Sequence, residues 1–166
     1  MPGRRGQGGS GGGYGAASGV AKGAYILADP GGGQPDAILL ATGSEVHLAL
    51  AARDELEAGG VSARVVSMPC WELFDRQPRE YQDAVLPRAV PARVAIEQAS
   101  TLGWDRYVGD GGAVIGMHTF GASAPLKQLL TKFGFTPERV AEVTRERLAA
   151  GRTGSTRVLG RGEDGE

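Results

Sequence analysis

Asparagine is absent from the 166 residues, cysteine occurs once and histidine twice. The lone Cys70 excludes an internal disulfide and any multi-cysteine metal site, and it fits a reducing cytoplasm. No apolar run approaches the roughly 20 residues needed to cross a bilayer, and the N-terminus lacks the apolar core of a signal peptide. A formal net charge of -1 gives no reason to expect a polyanionic partner. The expectation is a soluble cytoplasmic domain with neither nucleic acid nor membrane as partner. The length suits one domain with a real core.

Glycine, by contrast, is plentiful and clustered at the ends. Residues 1–18 are nearly devoid of core-forming side chains and cannot offset their ordering entropy, so a disordered tail is expected there. Arg4-Arg5 with glycines and Tyr14 faintly resembles arginine-glycine RNA-binding tails, but a plain linker is the reading preferred. Residues 151–166 are again polar and glycine-rich, which predicts a flexible tail. The folded domain is therefore expected over 19–150.

The stretch from Ala37 to Pro69 organises that domain. Ala37-Ile38-Leu39-Leu40-Ala41 is apolar throughout, as in a strand buried on both faces of a parallel sheet. In Thr42-Gly43-Ser44-Glu45, Gly43 permits a turn, Ser44 is a natural N-cap and Glu45 suits a helix N-terminus. Val46, Ala49, Leu50 and Leu56 fall at helical spacing, Gly59-Gly60 stops the helix, and Val61 to Ser67 supplies a second strand. Before this βαβ unit, Gly23 to Ala28 reads as a strand, and Asp29-Pro30-Gly31-Gly32-Gly33 as a turn leading back to Ala37 in an antiparallel pair. After it come short helical pieces at Pro69–Asp75 and Glu80–Leu86, with Trp71 and Phe74 plugging the end of the sheet. Strands follow at Arg93–Glu97 and Ala113–Ile115. Helices are expected after Gly121-Ala122-Ser123-Ala124-Pro125 and at Thr136-Pro137-Glu138, the last with Val140, Val143 and Leu148 as its apolar stripe.

Candidate chemistry is sparse. Gly109-Asp110-Gly111-Gly112 resembles the start of the metal-diphosphate motif of thiamine diphosphate enzymes. That motif needs a downstream asparagine, which this chain does not have, so a plain turn is expected. Thr42, Gly43 and Ser44 lie where open α/β sheets bind anions and small ligands, yet neither a full GxGxxG pattern nor a P-loop lysine is present. His47 and His118, with one isolated cysteine, give no nucleophile–base or metal-ligand spacing. Cys70 reads as a half-buried structural thiol. Glu97, at the end of an apolar strand, is the most interesting of the scattered carboxylates, and an ion pair with a nearby arginine explains it equally well.

Taken in order, the segments from Gly19 to Leu27, AILLATGSEVHLAL, ARVVSMPCWELFD, STLGWDRYVGDGGAVIGMHTFGASAP and FGFTPERV resemble the C-terminal domain of the transketolase family. The resemblance covers about Gly19 to about Leu148. It implies an α/β fold, a three-layer α/β/α sandwich around a mixed five-stranded sheet, mostly parallel with one antiparallel strand. A full transketolase transfers a two-carbon ketol group between sugar phosphates of the pentose phosphate pathway, using thiamine diphosphate and Mg2+. The resemblance places those cofactors and the substrates in the preceding domains, at their dimer interface. It therefore implies no catalytic, cofactor-binding or metal residue in this chain. The implied role is structural: packing on the cofactor domains, in the same or a separate chain, supporting a homodimer, and holding a regulatory ligand at Thr42-Gly43-Ser44. Two alternatives stay open: a free-standing module binding small anions, and the equivalent domain of a related thiamine enzyme, such as a 2-oxoacid dehydrogenase β-subunit or deoxyxylulose phosphate synthase. The GASAP and SMPCWELFD stretches favour transketolase. The glycine-rich ends, Cys70 and His118-Thr119 depart from the family pattern.

Overall fold

The computed structural model describes residues 17–31, 33–116, 128, 131 and 135–156. Strands β1 (Tyr25–Ala28), β2 (Ala37–Ala41), β3 (Ala63–Ser67), β4 (Arg93–Glu97) and β5 (Ala113–Gly116) form one sheet in the order β1-β3-β2-β4-β5. Strand β1 runs antiparallel to β3, and the other pairs are parallel. The central place of β2 follows from its composition. All five of its residues are apolar and buried, so both faces need cover and both edges need partners.

The cover comes from α1 (Glu45–Ala58), α2 (Trp71–Asp75), α3 (Arg79–Val85), α4 (Asp105–Val108) and α5 (Pro137–Thr156). Leu39, Ala41, Val65, Val94 and Ile96 meet Ala49, Ala52 and Leu56 of α1 and Val140, Ala141 and Val143 of α5. On the opposite face Ile38, Leu40, Val66 and Ala95 meet Phe74, Val85, Tyr107 and Val108 of the three short helices. The result is the three-layer α/β/α sandwich with a mixed five-stranded sheet. Trp71 and Phe74 sit in this second layer, packed with Trp104, Tyr81 and Tyr107.

Three local expectations need correction. First, β1 does not pair with β2. Both edges of β2 are taken by β3 and β4, so β1 adds to the free edge of β3. Asp29, just past β1, fixes that placement by accepting two bonds from Arg64 of β3, at 2.8 and 3.1 Å. Second, Ser44 is in helical conformation and makes no capping hydrogen bond; its hydroxyl donates to Glu45 Oε2 at 3.2 Å. Third, the final helix does not stop at Gly151 but continues to Thr156. Its N-terminus is capped as expected, Arg139 N donating to Thr136 Oγ1 at 3.2 Å. Once α5 is docked on α1, one more residue adds one more bond, and a glycine costs only about 1 kcal/mol. A 3-10 turn at Ala17–Lys22 likewise begins inside the segment expected to be tail. Residues 1–16 and 157–166, His118 and the Gly121–Pro125 loop lie outside the described residues.

Gly23 joins that turn to β1 at φ 84, and an added Cβ would overlap Cys70 O and Phe74 N. Only glycine lets the chain pass so close to α2.

Candidate functional site

The carboxyl ends of β2 and β4, on either side of which the strand order runs in opposite directions, open a cavity of about 230 Å³. Its lining includes Thr42, Cys70, Trp71, Glu72, Glu97 and Trp104. Such a switch point is the usual ligand crevice of open parallel sheets. Gly43 turns the chain there at φ 59, and Glu45 follows as the first residue of α1.

Glu45 is buried, 7% exposed, and its carboxylate joins two elements. Oε2 accepts from the Ser44 hydroxyl and Oε1 from the backbone N–H of Gln98 at 3.3 Å, just beyond β4. A carboxylate in the first turn is stabilised by the helix dipole, so the positive helix end is already matched by the chain's own charge. Glu97 Oε1 accepts from Ala99 N at 2.8 Å, and among the described residues Glu97 forms no ion pair with an arginine. Glu72 is exposed. Hydrogen bonds from its own backbone N–H and from the Cys70 thiol hold its carboxyl below the usual value. Cys70 Sγ donates to Glu72 Oε2 at 3.4 Å and is half-buried. With Glu45 beside Ser44, and Glu72 and Glu97 in the wall beside Thr42, this end of the crevice carries several carboxylates.

Thus the structure brings Thr42, Cys70, Glu72 and Glu97 together, while His47 and Asp110 do not line this cavity. His47 is exposed on α1. Asp110 is exposed in the turn between α4 and β5, at the amino end of that strand, where Gly112 N bonds Gly109 O at 3.1 Å. The turn brings one carboxylate, Asp110, and no second acidic side chain within it. No three His, Cys, Asp or Glu side chains among the described residues group as metal ligands.

Sequence reasoning missed two arginines that begin or punctuate apolar strands. Arg64 of β3 donates to the carbonyls of Ala84 and Val85 at 2.8 and 3.0 Å, closing the C-terminus of α3 with a cation. Arg93 of β4 donates to four carbonyls at the same end of the molecule. A lone arginine in an otherwise apolar strand was the available signal.

Residues 23–136 match the family model described as a transketolase-like TK C-terminal domain. A transketolase of Geobacillus stearothermophilus is 47% identical over 133 residues, 80% of this chain and 20% of that protein. Transketolase 1 of Vibrio cholerae is 53% identical over 130 residues, 78% of this chain and 19% of that protein. Among solved structures, a transketolase from Leishmania mexicana is similar with a TM-score of 0.73 at 44% identity, covering 80% of this chain and 19% of that one. A transketolase from Pichia stipitis, in complex with sedoheptulose 7-phosphate, gives 0.76 at 38% identity over 85% of this chain and 20% of its own. The chain spans about a fifth of the length of the curated relatives it matches.

Proposed function

The chain belongs to the transketolase-like C-terminal domain family, and from that premise we propose that it serves a transketolase as a structural domain. In this reading it packs on the cofactor-binding domains, in the same or a separate polypeptide, and supports a homodimer. The whole enzyme transfers a ketol group between sugar phosphates of the pentose phosphate pathway in the cytoplasm. Thiamine diphosphate and Mg2+ supply the carbanion chemistry of that reaction in the other domains. Among the described residues the GDGG turn offers a single carboxylate, and no three His, Cys, Asp or Glu side chains group as metal ligands. In this reading the transfer itself takes place in those other domains.

One observation carries the reading. Identity near one half extends over most of this chain while covering only about a fifth of each relative. The match is to a domain, and what it supplies is judged by what it completes.

The test is a ketol-transfer assay with thiamine diphosphate, Mg2+ and sugar phosphates. It is run on this chain alone and on its mixture with a transketolase truncated before its own C-terminal domain. No turnover is expected from the chain alone, and restored activity or raised thermal stability is expected in the mixture. Turnover by the chain alone would sink the structural assignment. An unchanged truncated enzyme would sink the partnership.

A further inference from the structure

The layer of α2, α3 and α4 holds a second cavity, about 430 Å³, at the amino end of β4 and away from the Thr42 crevice. Arg79, Arg88, Arg93 and Arg106 line it with Asp75 and Asp83, and Tyr107 forms part of its wall. Four guanidinium groups against two carboxylates leave a formal excess of two positive charges, in a protein whose net charge is -1.

The pairing within the groove shows where that excess resides. Arg79 and Arg88 both approach the same oxygen, Asp83 Oδ1, at 3.9 and 3.4 Å, and both side chains are about two-thirds exposed. Arg106 Nη2 meets Asp75 Oδ2 at 3.3 Å, while Tyr107 donates its hydroxyl to Asp75 Oδ1 at 2.9 Å. Arg93 has no carboxylate within ion-pair distance among the described residues. It donates to Tyr107 O at 2.8 Å, Pro87 O at 2.9 Å, Val90 O at 3.0 Å and Leu86 O at 3.2 Å. Carbonyls fix a guanidinium without cancelling its charge, and arginine stays protonated even when partly buried. The groove therefore has a rigid cationic floor, and at its rim two exposed arginines share one carboxylate.

We propose that this groove is a binding site for a small phosphorylated anion. Arg79 and Arg88 supply the hydrogen bonds, and Arg93 supplies charge from below. Guanidinium forks match phosphate oxygens in geometry, and each such bond is charge-assisted. An excess of two charges suits a phosphate monoester or a diphosphate group. This site does not depend on the transketolase assignment, since it rests only on the groove's own charges.

Isothermal titration calorimetry of the full chain with inorganic diphosphate at low salt tests it. Saturable one-site binding is expected, weakening as salt is raised. The Arg79→Gln, Arg88→Gln double variant should weaken it about tenfold or more. Both side chains are exposed, so that variant keeps the fold, which circular dichroism checks. Arg139→Gln, on α5 in the opposite layer, should leave the affinity unchanged. Titrations with inorganic phosphate and with glycerol 3-phosphate then show whether a free anion or an ester is preferred, and either order supports the site. Absence of saturable binding at millimolar diphosphate would overturn the proposal, and so would undiminished binding by the double variant.

Discussion

Tyr107 shows how one side chain ties the short-helix layer together. Its ring packs at 5.4 Å from Trp71, 6.2 Å from Phe74 and 6.3 Å from Trp104, and its hydroxyl donates to Asp75 while accepting from Arg106 at 2.7 Å. Burial, then the hydrogen bond to Asp75 and its negative charge, push the phenol well above its ordinary value, against a smaller opposing pull from Arg106. The folded state thus holds this proton more tightly than the unfolded chain. The resulting stability is complete below about pH 10, the unfolded value, and is lost as the pH climbs from there toward the folded value. Burial raises Tyr81 as well, so it adds to the same alkaline loss. The Tyr107→Phe variant should lose about 1 kcal/mol at neutral pH with its hydroxyl bonds. Between about pH 9 and 11 it should then fall less steeply than the parent. Urea midpoints across that range check this, and parallel curves for the two proteins would refute it.

At the scale of elements, legibility followed how local the cause was. The β2–α1–β3 unit could be read because five consecutive apolar residues, a glycine turn and a helical stripe each declare themselves within a short window. The partner of β1 could not, since it depends on which strand edge remains free once β3 and β4 have flanked β2. Ser44 has the right chemistry for a cap, but the buried Glu45 carboxylate draws its hydroxyl away from the backbone. The arginine groove was illegible for a similar reason: Asp75 and Arg106 meet from 31 positions apart, with no period to signal it. Gly151 exposes the limit of composition most clearly. A glycine in a polar stretch reads as the start of a tail, yet α5 passes through it, and nothing lies within 4 Å of where its Cβ would be. Gly151→Ala should therefore stabilise the protein by about 0.5–1 kcal/mol, by removing backbone freedom inside a helix. Thermal melts followed by circular dichroism measure it, and an unchanged midpoint would return the segment to the tail.

For the molecule as a whole, the sheet makes the two outer layers depend on each other. Alternate residues of β2 serve opposite cores: Leu39 and Ala41 face α1 and α5, while Ile38 and Leu40 face the short helices. A strand cannot lose one face and keep the other in register, because its backbone bonds to β3 and β4 are common to both. Unfolding should then be a single transition, as is usual for domains of this size. Leu56 of α1 tests this, being fully buried in the first core and remote from the second. Leu56→Ala should cost about 2–5 kcal/mol through lost burial and a residual cavity. The chain's two tryptophans, Trp71 and Trp104, both belong to the other layer, so their fluorescence reports on a face the substitution does not touch. If the sheet couples the layers, urea titrations followed by tryptophan fluorescence and by far-ultraviolet circular dichroism will show the same lowered midpoint. A fluorescence midpoint that stays at the parent value while the dichroism midpoint drops would mean that the short-helix layer folds independently, and that β2 does not transmit the loss from one core to the other.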